Sequence, residues 1–111
     1  MVPDPAPPFE VGISELVRER IERLSDLAAV RGLASTFDST VDQIMNMLRM
    51  SPRESGDPLR HLRGLSMTQY RIYHGGLVAD YTVHDRIPTV VLWSLAPGPS
   101  HPLASPPPNG N

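Results

Sequence analysis

The chain has 111 residues, 40% of them hydrophobic and 20% charged, with a formal net charge of −2, which describes one soluble domain with a single modest core. It contains no cysteine, which excludes disulfides, thiolate metal sites and a cysteine nucleophile. No apolar run approaches the roughly 18–20 residues that span a bilayer. The opening MVPDPAPP has neither the basic nor the apolar part of a secretory signal, so no membrane contact and a cytoplasmic location are expected.

All ten basic residues are arginine. Codon usage in a GC-rich genome explains this more simply than selection for bidentate phosphate contacts. The placement of charge is more informative. Residues 1–58 carry ten acids against six arginines, net −4. Residues 59–86 carry Arg60, Arg63, Arg71 and Arg86 against Asp80 and Asp85, net +2, with His61, His74 and His84 among them. A mildly basic region on an acidic protein falls short of the footprint of a general nucleic-acid binder.

Four prolines in the first eight residues predict a flexible arm over 1–8. Phe9, Val11 and Ile13 then alternate as in a short strand. Ser14 suits the N-cap of a helix running to about Arg31, with Leu16, Val17, Ile21, Leu24, Leu27 and Ala28 on its apolar side. The pairs Arg18–Glu22 and Glu19–Arg23 mark its solvated face. Gly32 suits the end of that helix. A second helix is predicted from Ser35 or Thr36 to about Met50, burying Phe37, Val41, Ile44, Met45 and Leu48. Met45, Met47 and Met50 fit core packing with one exposed methionine. SPRESGDP reads as a loop, and the proline-rich 97–111 as a disordered tail after a domain over 9–96.

Between these lies a hairpin. Gly75-Gly76 supplies the positive φ angles of a two-residue turn. That turn sets His74 opposite Leu77, Ile72 opposite Ala79 and Tyr70 opposite Tyr81, with Tyr73–Val78 and Arg71–Asp80 on the other face. Opposite charges directly across strands support this register. If Asp85-Arg86 makes the next turn, Val90 lies beside Tyr81, Leu92 beside Ala79 and Trp93 beside Val78. One face then gathers Tyr70, Ile72, Ala79, Tyr81, Val90 and Leu92 for the helices. The other gathers Tyr73, Val78, Val91 and Trp93 around Arg71 and Asp80, an aromatic surface suited to a partner unless the tail or a helix end covers Trp93.

The order of one strand, two helices and a three-strand meander resembles the RelE/ParE-like toxin superfamily. PFEVGISELVRERIERL is similar to that family's opening strand and first helix, and DPLRHLRGL, with Leu62, Arg63 and Gly64, to its lead into the sheet. YRIYHGG, VADYTVHD and TVVLWSL are similar to its central meander. The resemblance covers residues 8–96 and implies a small α+β fold. That fold has a four-stranded sheet, made of an N-terminal strand plus a C-terminal three-strand antiparallel meander, with two helices packed on one face. It further implies a growth inhibitor neutralised by an antitoxin. RelE-like members cleave mRNA on the ribosome and ParE-like members poison gyrase. In the cleaving members, basic side chains on the meander act with a C-terminal basic residue and tyrosine.

The carry-over of those residues is thin. Arg71 matches the first basic position of the meander, the next falls on Tyr73, and Val78 stands where many members have arginine. After the last strand APGPSHPL offers only His101. The catalytic candidates are therefore Arg71, Arg63 and His101, and the partner-binding candidates Tyr73, Val78, Val91 and Trp93. His74, His84, Asp80 and Asp85 read as ordinary surface groups and not as a metal site, because the hairpin register turns His74 and Asp80 to opposite faces. No P-loop, GxGxxG, HExxH or nucleophile-elbow pattern is present, so no cofactor is implied. The leading reading is a diverged RelE/ParE-like protein that binds a cognate antitoxin-like partner through its sheet face. The alternatives are a ribosome-dependent mRNA endoribonuclease and a non-catalytic homodimeric module.

Overall fold

The computed structural model describes residues 8–104. The flexible arm expected over 1–8 lies, apart from Pro8, outside the described residues, as do residues 105–111 of the expected tail. Strand β1 (Glu10–Ile13) runs into helix α1 (Glu15–Val30), whose first turn is capped by Ser14 Oγ accepting from the Val17 amide at 3.2 Å. The helix ends in a Schellman motif: Gly32, at φ 73°, donates to the Ala29 carbonyl and Leu33 to that of Ala28 at 2.7 Å. Helix α2 (Ala34–Met50) therefore starts directly after Leu33 and has no side-chain cap; the Ser35 or Thr36 start expected from capping chemistry is not used.

The segment expected as a loop after Met50 is mostly structured. Pro52–Ser55 forms a one-turn helix, α3, and Asp57–Leu62 forms strand β2. A 3₁₀ turn (Arg63–Leu65) leads to β3 (Met67–His74), β4 (Leu77–His84) and β5 (Thr89–Pro97). The sheet thus has five strands in the order β1-β5-β4-β3-β2, not four. β1 pairs parallel with β5, and the other pairs are antiparallel. β2 hides from a pattern search because Pro58 and a register shift between Pro58 and Arg60 break its alternation, as befits an edge strand.

The β3–β4 register is the predicted one throughout, from His74 opposite Leu77 to Tyr70 opposite Tyr81. The β4–β5 register is not. Asp85-Arg86 does not close a two-residue turn; the connection runs on through Pro88, so Tyr81 faces Leu92 and Val83 faces Val90. A bulge at Trp93 then places Asp80 opposite Ser94, Ala79 opposite Leu95 and Val78 opposite Ala96. The first shift is by two residues, so Val90 and Leu92 still point to the core side.

Helices α1 and α2 cover one face of the sheet. Val17, Ala28, Phe37, Ile44 and Leu48 from the helices bury against Tyr70, Ile72, Ala79, Tyr81, Val90 and Leu92. Leu16, expected on the buried stripe, is 77% exposed because it sits one step round the helix from Val17. Nor is the expected disordered tail loose at its start: Gly98 donates to the Gly76 carbonyl at 2.7 Å, Arg31 Nη1 donates to that of Pro102 at 2.7 Å, and Leu103 is buried. No helix among the described residues is long and apolar enough to cross a membrane.

Candidate functional site

The face of the sheet away from the helices is assembled from alternate residues of β3, β4 and β5. Period-2 alternation that buries Tyr70 and Ile72 inward turns Gln69, Arg71 and Tyr73 outward. On β4 the same logic presents Val78, Asp80 and Thr82. At the centre Arg71 grips Asp80 with two parallel bonds, Nε to Oδ1 at 2.7 Å and Nη2 to Oδ2 at 3.0 Å. The hydrogen bonds that Arg71 donates to Asp80, and then that to Tyr73, raise its pKa further, so its charge is permanent and its donors on that edge are spoken for. Arg60 Nε donates to Gln69 Oε1 at 3.0 Å, a second engaged arginine beside the first.

The aromatics are held differently. Tyr73 is 66% exposed and Trp93 53%, while Val78 and Val91 are half-buried. The Trp93 indole N–H donates to Thr82 Oγ1 at 2.8 Å, which pins the ring to the open face and explains how Thr82 is buried there. Trp93 therefore stands over Thr82, not beside Val78 as the sequence register had it. The aromatic face is present, with a different neighbour for its largest member.

The catalytic candidates are not brought together. Arg71 sits mid-strand, Arg63 lies in the 3₁₀ turn before β3, and His101 packs its ring against Gly76, beyond the other end of β3. The length of that strand alone puts roughly 24 Å between Arg63 and His101. Cleavage by a 2′-hydroxyl needs a base, a cation on the phosphate and a proton donor within reach of one phosphodiester. These three residues do not make that set. His101 is further occupied, its Nδ1 accepting from the Leu103 amide at 2.9 Å.

Pattern reading missed a polar cluster at the base of the sheet because it missed β2. His61 lies opposite Thr68, and both reach Asp85: His61 Nε2 donates to Oδ2 at 2.7 Å and Thr68 Oγ1 to Oδ1 at 3.1 Å. The hydrogen bond from His61, followed by that from Thr68, holds the Asp85 carboxyl below its ordinary value against the opposing effect of desolvation. A carboxylate with a lowered folded-state pKa adds stability above its unfolded pKa and loses it as pH falls through the folded one. Stability is accordingly expected to drop as pH falls below about 4, and Asp85→Asn to flatten that part of the profile; denaturation midpoints measured from pH 6 to pH 2 read the difference. Among the described residues no cluster of three or more metal-ligating side chains is placed to hold an ion.

No protein-family model matches the sequence, and no curated protein sequence matches it. The fold is similar to the archaeal RelE–RelB complex from Pyrococcus horikoshii, with a TM-score of 0.55 and 18% identity over 83% of this chain and 97% of that one. It is likewise similar to the toxin–antitoxin complex RelBE2 from Mycobacterium tuberculosis, at a TM-score of 0.55 and 22% identity over 86% of this chain and 97% of that one. The molecule is thus RelE-like in fold: α+β, with two main helices on a mixed five-stranded sheet.

Proposed function

We propose that this RelE-like chain is a diverged toxin-like member of a toxin–antitoxin pair that acts by binding a protein partner through its open sheet face. One observation carries the reading. The arginine in the family's basic position is clamped by Asp80, while Tyr73 and Trp93 stand exposed on the same sheet. Large aromatics held on a rigid sheet are typical anchors of a protein interface, and a cation already paired to a carboxylate has little left for a phosphate. Both similar structures are complexes with a second protein, which supports the choice of an antitoxin-like partner.

The test is co-expression with the product of an adjacent antitoxin-like reading frame. A stable complex is expected, and Tyr73→Ala or Trp93→Ala is expected to weaken it roughly 30-fold, as for an interface hot spot. Strong induction of the chain alone is expected to leave mRNA uncut. Growth arrest with mRNA cleavage, both abolished by Arg71→Ala, would replace this reading with that of a ribonuclease. A homodimer in light scattering that Trp93→Ala converts to monomer would replace it with that of a structural module.

A further inference from the structure

The bulge in β5 breaks the alternation of that strand at one point. Between buried Leu92 and Leu95 it turns two successive residues, Trp93 and Ser94, toward solvent. The indole is not loose there: its N–H bond to Thr82 Oγ1 at 2.8 Å makes the ring a fixed plate. β1 pairs with β5 only as far as Leu92, so no strand screens Trp93 on that side. Helix α1 stands across the gap. Its Arg20 and Arg23 share with Trp93 and Ser94 a cavity of about 220 Å³. Arg20 also borders a second space, of about 640 Å³, that continues along β5 to Pro97. Together the two have the dimensions of a small-molecule pocket.

The charge of the cavity is as specific as its shape. Arg18 is taken by Glu15 and Glu22, and Arg71 by Asp80, whereas Arg20 and Arg23 make no ion pair among the described residues. Neither lies on the Trp93 ring, since the stacked guanidinium among the described residues is that of Arg53, over Phe9 at 5.3 Å. The indole face and both cations are therefore unspent. Three positions apart on a helix, the two arginines have Cβ atoms roughly 5–6 Å from each other. Long side chains at that spacing can close on one phosphate from two sides. Glu15, Glu19, Glu22 and Asp26 lie roughly a quarter turn further round α1, and no carboxylate lines the cavity.

We propose that this cavity binds a small phosphate monoester that carries an aromatic ring, of the size of a mononucleotide. The ring stacks on Trp93, the phosphate sits between Arg20 and Arg23, and the Ser94 hydroxyl serves the polar link between them. The groups select jointly. A ring without a phosphate leaves the two cations unpaired, and a phosphate without a ring forgoes the stacking. Every base has a π face, so the site favours phosphorylated rings as a class and not one base over another. Arg20 and Arg23 have no part in the open-face reading, so this proposal and that one stand or fall separately.

Adenosine 5′-monophosphate, adenosine and ribose 5-phosphate, each titrated against the full chain by calorimetry, test it. The nucleotide is expected to bind and to weaken with added salt. Adenosine and ribose 5-phosphate are each expected to bind at least about tenfold more weakly. Combining Arg20→Ala with Arg23→Ala is expected to bring the nucleotide down to the level of adenosine, and Trp93→Leu to bring it down to that of ribose 5-phosphate. Trp93 is the single tryptophan of the chain, so its one indole N–H resonance reports on the unaltered protein. That signal is expected to shift with the nucleotide and to stay in place with ribose 5-phosphate. Absence of binding by all three overturns the proposal, as does equal binding of the nucleotide and either fragment. So does a single-stranded RNA without a terminal phosphate that displaces the nucleotide from the same arginines, which would make the cavity part of a polymer track.

Discussion

Tyr81→Ala is expected to destabilise the protein by about 3–5 kcal/mol, the cost of emptying a large aromatic site in a packed core. Tyr81 is fully buried in the middle of β4, stacked on Tyr70 with ring centroids 5.5 Å apart and planes 10° from parallel. Its hydroxyl donates to the Pro52 carbonyl at 2.6 Å, tying the sheet to the start of α3. Burial, then the neighbouring Tyr70, raises its pKa, so the phenol stays protonated and remains a donor across the accessible range. Tyr81→Phe keeps the ring and strands the carbonyl, which predicts a smaller loss of about 1–2 kcal/mol. Chemical denaturation of the two variants separates the terms. Equal losses would mean that the hydroxyl bond, not ring packing, dominates at this position.

Gly75→Ala is the second large effect, at about 2–3 kcal/mol. Gly75 sits at φ 57° and Gly76 at φ 82°, the left-handed pair that a two-residue hairpin turn requires. Besides that strain, a Cβ on Gly75 would come within 2.5 Å of Thr40 Cγ2 on α2. The turn is thus both a bend and a contact surface for the helix. Thr40→Ala removes the methyl and hydroxyl that collide but not the backbone strain, so the double variant is expected to recover about 1 kcal/mol relative to the sum of the single ones. Strict additivity in a denaturant-midpoint cycle would show that α2 moves aside without cost.

These two positions also show what was legible in the sequence. The hairpin was readable to the residue because Gly75-Gly76 announces one turn type and the flanking alternation admits one register. Both main helices were readable from their apolar spacing and from Ser14 and Gly32. What failed was whatever depended on competition between distant segments. β2 offers no alternation of its own and exists because β3 gives it a ladder to join. The bulge at Trp93 has no local signal, and its consequence is that Trp93 reaches Thr82 and not Val78. Leu103 looks like tail sequence among prolines, yet it fills a gap that only the assembled helices and sheet create. The open aromatic face was legible because faces survive a shift by two residues; its contacts were not.

The parallel pairing of β1 with β5 joins segments from opposite ends of the described chain. Such a pairing closes a very long loop, and the ordering cost falls before any reward. During synthesis the two helices are complete before any of β3, β4 or β5 exists, so their apolar stripes wait uncovered while the hairpin is made. The β3–β4 hairpin closes locally and is the natural first piece of sheet, but β1 docks only after β5 has emerged. Folding is therefore gated by the last strand, and a nascent chain cut before Thr89 lacks Val90, Leu92 and Leu95, so its helices can cover only part of their apolar stripes.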